Sequence, residues 1–310
     1  MTDPASDAPV GFVGLGQMGA RMAARLVDAG LDVIAFDVDP VALAKLAARG
    51  AKAAASLRDV ADKAAIILCS LPRPDIVEQA ILGVDGLASG STVELIVDLS
   101  TTGTAKLQEI ARALAVHNID LVDAPVSGGV GGAEAGTLTL MVAGKAAARA
   151  RVDTIVRHLG SNIFVIGDTP GLGQKMKLVN NMLCAANAVT AFEAMVMGVK
   201  AGLDADRMLE VINVSSGRSF ITTDKLPQCV LPRSFPNRFA TQLLLKDMRL
   251  GVEEAQVDDA PLWMMTAALD FISKAMDEGD PQADYATLIH YFEQRAGVEV
   301  AGAALESFAS

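Results

Sequence analysis

Over residues 10–167 the chain alternates. The apolar runs "VGFVG", "DVIAFD", "AIILCSL", "LIVDLS", "IDLVDAPV", "LTLMVAG" and "NIFVIG" have strand length. Helix-length segments such as residues 18–29, 41–49 and 104–116 lie between most of them. Strand and helix in alternation imply a mostly parallel, doubly wound sheet. The pattern stops near Gly167. Beyond Gly173 apolar residues recur at helical spacing over 203–213, 241–257, 262–277 and 285–295. The expected organisation is an α/β domain over 1–170 and an all-α domain over 171–310, joined by a long helix at about 173–200.

Composition limits what such a chain does. Half of its 310 residues are hydrophobic (51%), and the mean hydropathy of +0.36 calls for a check on membrane spans. The best candidate, residues 178–199, carries Asn180, Asn181, Asn187 and Glu193, with Lys177 at its edge. A spanning helix needs roughly 20 mostly apolar residues, so a buried core helix is the expectation and no membrane partner is expected. The start, "MTDPASDAPV", has neither the basic head nor the apolar run of a targeting segment. Cys69, Cys184 and Cys229 show no metal spacing and no disulfide framework, which suits a cytoplasmic protein. A net charge of −11 argues against nucleic acid and for a small-molecule partner.

The turn after the first run is "GFVGLGQMGARMAARL", residues 11–26, in which Gly14, Gly16 and Gly19 fit G-x-G-x-x-G. The first glycine allows a tight turn, the second lets backbone approach a pyrophosphate, and the third permits close helix–strand packing. Leu15, Gln17 and Met18 complete the loop, and the helix opening near Met18 turns free N–H groups and a positive dipole end toward phosphate. The second run ends in "AFDVD". Asp37 therefore stands where a carboxylate binds adenosine ribose hydroxyls. It would repel a 2′-phosphate, Asp39 adds to that charge, and no arginine follows closely. NAD is expected over NADP.

Two downstream stretches carry further chemistry. In "DAPVSGGVGGAEAGTLTLMVAG", residues 123–144, a strand runs into Ser127, Gly128 and Gly129. Uncovered backbone N–H groups and a hydroxyl there can ring a small carboxylate, although a glycine loop built only to turn would read the same. In "GLGQKMKLVNN", residues 171–181, Lys177 and Asn181 are four apart and share a helix face. A lysine on an apolar helix is costly to bury without a partner or a task, and burial moves its pKa toward neutrality, as a proton shuttle requires. The bland alternative is a lysine that snorkels to solvent. Lys175, on another side, is better placed for that.

Taken together, "GFVGLGQMG", "DLSTT", the 123–144 stretch, "GLGQKMKLVNN" and "LLLKDMRL" resemble the 3-hydroxyisobutyrate dehydrogenase family of β-hydroxyacid dehydrogenases, from about Val10 to about Glu293. The resemblance implies a Rossmann domain, an interdomain helix, a helical C-terminal domain and a homodimer or homotetramer. It implies Lys177 as the catalytic lysine, with Asn181 holding substrate beside it. Ser127, Gly128 and Gly129 would bind the substrate carboxylate. Thr101 and Lys246 would contact cofactor, Leu71 and Pro72 would pass the nicotinamide ribose, and Phe239 and Asp247 would close the site. The segment 215–239 departs from the family pattern and leaves the substrate open.

The expected reaction is NAD-dependent oxidation of a small β-hydroxy acid to its semialdehyde, Lys177 taking the alcohol proton. Arg218, in "SSGRSF", is a candidate for lining the substrate entrance and favouring acids with a second anionic or polar group, the alternative being a solvated loop arginine. No histidine among His117, His158 and His290 lies in a comparable motif. The alternatives are a reductase of glyoxylate or a short semialdehyde such as tartronate or succinate semialdehyde, and, more distantly, a non-catalytic dinucleotide-binding module. Imine reduction is a further rival, which the presence of Lys177 disfavours.

Overall fold

The computed structural model describes residues 8–303. The reading of the first residues as free of a targeting segment falls largely on residues 1–7, outside that range. Contacts divide the chain into two compact units, Met1–Lys177 and Leu178–Ser310.

Among the described residues the first unit is built on a nine-stranded sheet. Its strands are β1 (Val10–Val13), β2 (Val33–Phe36), β3 (Lys52–Ala53), β4 (Ile66–Cys69), β5 (Leu95–Asp98), β6 (Asp120–Asp123), β7 (Val126–Ser127), β8 (Thr139–Ala143) and β9 (Asn162–Gly167). They run in the order β3-β2-β1-β4-β5-β6-β8-β7, with β9 on β8. All pairings are parallel except β6 with β8 and β7 with β8. This is the doubly wound Rossmann arrangement, and strand order reverses between β1 and β4. Ligands of open α/β sheets bind outside the carboxyl ends of the strands at that reversal.

Both faces of the sheet are covered, which is why the strands read as continuous apolar runs. Phe12, Leu68 and Val97 pack on one face with Met22 and Leu26 of α1 (Gly19–Asp28) and Val152 of α7 (Ala146–Arg157). Val13, Ile67 and Ile96 pack on the other with Val77 of α4 (Pro74–Leu82) and Leu107, Ile110 and Leu114 of α5 (Thr104–Val116). The short helices α2 (Pro40–Ala47), α3 (Leu57–Ala61) and α6 (Gly129–Ala135) complete the unit.

The run "IDLVDAPV", read as one strand, is two. β6 stops at Asp123, and β7 pairs antiparallel with β8 through Val126 and Ser127. Pro125 lies between them and has no N–H to continue a ladder. The segment after Ser127 is not an irregular loop but α6, entered through positive φ angles at Gly128 (127°) and Gly129 (63°).

One helix, α8 (Leu172–Lys200, 29 residues), leaves the first unit and enters the second without a break. By length and composition it could cross a membrane. Its residues Met182, Ala185, Ala188, Phe192 and Met195 pack into the core of the second unit. That unit continues with α9 (Ala205–Asn213), α10 (Thr241–Val257), α11 (Trp263–Glu278), a 3-10 turn at Tyr285–Leu288 and α12 (Ile289–Ala296). The periodicity over 285–295 is thus a 3-10 turn running into a helix. Within the departing segment 215–239, Ile221–Val230 forms a π-helix with Pro227 inside it. A proline has no N–H for an α-helical ladder and crowds the preceding turn, and a wider turn is a recognised accommodation at functional positions.

Candidate active site

The glycine-rich turn connects β1 to α1 at the reversal point. Its three glycines differ in what a side chain would meet. Gly14 has φ of +91°, and a Cβ there would lie 2.3 Å from the Ser70 carbonyl oxygen. A Cβ on Gly19 would lie 1.9 Å from the carbonyl oxygen of Gly14, so helix and turn close only around glycine. A Cβ on Gly16 would meet nothing within 4 Å. The protein itself does not crowd Gly16. The open space is the cradle that a pyrophosphate approaching backbone would enter, so these residues fit a dinucleotide. Among the described residues no side chain caps the start of α1.

Asp37 follows β2. Its Oδ2 accepts the Leu15 N–H and its Oδ1 accepts the Asp39 N–H at 2.7 Å. The acid is therefore fastened to the loop between Gly14 and Gly16. On the other side of the reversal, the Leu71 N–H donates to Ser100 Oγ at 2.9 Å. Leu71, Pro72 and the residues around Thr101 thus belong to one hydrogen-bonded edge.

That edge holds residues that sequence reasoning missed. Asp98 and Asp123 are neighbours in register at the ends of β5 and β6, and both are fully buried. Asp98 accepts the Ser100 N–H at 3.0 Å and the Thr102 hydroxyl at 2.6 Å. Asp123 accepts the N–H groups of Gly171 and Gln174, each at 2.9 Å, at the entry to α8. Buried Gln174 donates to the Ser100 carbonyl at 3.0 Å and accepts from Thr102 N–H at 2.8 Å. A Cβ on Gly173 would lie 2.2 Å from the Met141 carbonyl oxygen and 2.7 Å from Asp123 Oδ2, which accounts for the glycine in "GLG". Burial pushes the Asp123 carboxyl up to about 7, against the two backbone donors that lower it, and the Asp98 charge adds to the rise. The available signal was a carboxylate closing an apolar strand, "LIVD" and "DLVD", at the sheet edge where sites form.

Lys177 is the last residue of the first unit, on α8 one turn beyond Gln174, and is buried to 9% exposure. Lys175 is half-buried. Ser127 ends β7, and Gly128 and Gly129 start α6. In the second unit the structure brings together Asn181, Lys246 and Asp247. Buried Asn181 donates to Asp247 Oδ2 at 2.6 Å. The other Asp247 oxygen is buried and lies 2.9 Å from Lys246 Nζ as an ion pair. Phe239 is half-buried just before α10, whereas Arg218 is exposed and not part of the Asn181–Asp247 cluster.

Residues 9–167 match the family model for the NAD binding domain of 6-phosphogluconate dehydrogenase. Residues 171–292 match that for the NAD-binding of NADP-dependent 3-hydroxyisobutyrate dehydrogenase. The chain is 38% identical to 2-(hydroxymethyl)glutarate dehydrogenase of Eubacterium barkeri over 94% of its own length and 97% of the relative's. It is 36% identical to 3-hydroxyisobutyrate dehydrogenase of Pseudomonas aeruginosa, covering 90% and 96%. The chain belongs to the 3-hydroxyisobutyrate dehydrogenase family. The crystal structure of 3-hydroxyisobutyrate dehydrogenase from Salmonella typhimurium matches with a TM-score of 0.83 at 32% identity, over 92% of this chain and all of that one. As a β-hydroxyacid dehydrogenase family member, the protein is an NAD(P)-dependent oxidoreductase.

Proposed function

We propose that this family member oxidises a small β-hydroxy acid, 3-hydroxyisobutyrate or one like it, to its semialdehyde, with Lys177 as general acid and base. The observation that carries the proposal is the burial of Lys177, one turn before a buried Asn181 that is held by Asp247. In oxidation, neutral Lys177 Nζ takes the proton from the hydroxyl oxygen as hydride leaves the carbon that bears it, and the C=O bond forms. Bound nicotinamide dinucleotide supplies the two-electron acceptor. Ser127, Gly128 and Gly129 hold the substrate carboxylate, Asn181 fixes the reacting end, and Phe239 and Asp247 close the site. Gly14 to Gly19, Asp37, Leu71, Pro72, Thr101 and Lys246 hold the cofactor. Asp37 followed by Asp39 favours NAD over NADP, since a 2′-phosphate would meet two carboxylates.

A second carboxylate on the substrate is favoured by two observations. The relative from Eubacterium barkeri is named for a hydroxymethyl dicarboxylic acid, and Arg218 offers an exposed guanidinium in "SSGRSF". The proposal includes a cytoplasmic homodimer or homotetramer without nucleic-acid or membrane partners. Steady-state rates across C3 to C6 hydroxy acids, each with NAD+ and NADP+, test it. The expected result is turnover of β-hydroxy acids with higher kcat/KM for NAD+. Turnover confined to 2-hydroxy acids overturns it.

A further inference from the structure

The second unit contains a buried ion pair that the proposed reaction does not use. Lys225 Nζ lies 2.6 Å from Asp284 Oδ1, with side chains 4% and 0% exposed. The same ammonium stands 4.2 Å from the centre of the Tyr285 ring. Lys225 is carried by the π-helix Ile221–Val230. Taking two charges out of water is costly, so such a pair is weak evidence for stability. The contacts that the pair holds are more informative. Asp284 Oδ2 accepts the N–H groups of both Arg238 and Phe239, each at 2.9 Å, and Oδ1 also accepts the Ala286 N–H at 2.9 Å. The Tyr285 N–H returns a bond to the Phe239 carbonyl at 3.1 Å. The two rings meet edge to face at 6.2 Å. The backbone of Phe239 is thus tied on both sides, and the carboxylate that ties it is charge-compensated by Lys225.

We propose that Lys225 and Asp284 are positioning residues that set substrate affinity through Phe239. The inference rests on the reading of Phe239 as a residue that closes the substrate site. Neither Lys225 nor Asp284 touches the reacting atoms in this scheme. Asp284 supplies the acceptor that fixes the Phe239 main chain, and Lys225 holds that acceptor in place inside the core. The pair therefore acts on KM for the hydroxy acid and leaves the chemical step and the dinucleotide alone.

The test avoids stranding a buried charge. Lys225→Met/Asp284→Asn removes both charges but keeps an amide oxygen to accept the Arg238 and Phe239 N–H groups. Lys225→Met/Asp284→Ala removes the acceptor as well. KM and kcat are measured for 3-hydroxyisobutyrate and 2-(hydroxymethyl)glutarate, with the NAD dissociation constant and Tm alongside. The Asn variant is expected to keep KM near that of the wild type. The Ala variant is expected to raise KM about tenfold or more, the scale of a misplaced apolar contact in a substrate pocket, with kcat and NAD affinity little changed. Equal KM in the two variants, or equal losses in kcat and NAD affinity, overturns the proposal. Phe239→Ala separates the two ideas. If it raises KM while the double variants match, only the pairing fails. If it leaves KM unchanged, the reading of Phe239 at the site fails and the proposal with it.

Discussion

The carboxylate of Asp37 accepts the backbone N–H of Leu15, so the acid after β2 is hydrogen-bonded to the glycine turn after β1. Removing it takes away a brace of the turn and, in the proposed role, the acceptors for the ribose hydroxyls. Asp37→Ala is expected to weaken NAD binding and narrow the gap to NADP. Dissociation constants for both dinucleotides check this. A wild-type kcat/KM higher with NADP+ than with NAD+ would contradict the assigned role.

The glycines of the turn make a paired test. Gly19→Ala forces a Cβ to within 1.9 Å of backbone oxygen and is expected to lower Tm. Gly16→Ala meets no protein atom within 4 Å. It should leave Tm close to that of the wild type while NAD affinity falls, because the methyl occupies the space through which phosphate approaches. Equal Tm losses in the two variants would refute the distinction.

Lys177→Ala should lower kcat by about 10²–10⁴-fold, the range for a positioned acid–base group. Lys175→Ala, two residues earlier on the same helix, should stay near wild type. NAD affinity should change little in either. If folded Lys177→Ala keeps more than about a tenth of the normal kcat, the proton-transfer role is wrong, since that loss should be at least a hundredfold.

Arg218 is exposed and contributes no core packing. Arg218→Ala should leave Tm unchanged and raise KM for 2-(hydroxymethyl)glutarate more than for 3-hydroxyisobutyrate. The same KM for both acids before and after the change would remove the residue from the substrate site.

Asp123 predicts a pH dependence of stability. Burial raises its pKa to about 7 in the folded protein, above the ordinary 3.8. Between those values the folded chain holds a proton that the unfolded chain has released. The contribution is fully present below about 3.8 and is lost as pH rises through about 7. Asp123→Asn cannot titrate. The Tm of the wild type relative to that variant should therefore be higher at pH 5 than at pH 8, and a pH-independent difference would contradict this.

Much of the fold was legible because its signals are local. A buried parallel strand reads as an apolar run, and G-x-G-x-x-G names its own turn. The division of "IDLVDAPV" was harder, since only Pro125 marks it and a proline also suits a strand end. The π-helix was illegible because nothing in "ITTDKLPQCV" distinguishes a wide turn from a loop. The candidate residues Gly14, Asp37 and Lys177 stand in motifs whose spacing carries meaning. Asp98, Gln174, Lys225 and Asp284 act through partners far along the chain. Gln174 meets Thr102, and Lys225 meets Asp284. Such pairings appear only when topology brings the elements side by side.

The division between the two units falls inside α8, after Lys177 and before Leu178. The protein has no linker there. A protease finds no extended segment to grip at that boundary, and a gene cut at it would give two fragments, each ending in mid-helix. The upstream fragment would lose partners for its last four carbonyls and the downstream one for its first four N–H groups. The two halves are thus separable by compactness but not by scissors, and a split version of the protein would have to be opened at a surface turn instead.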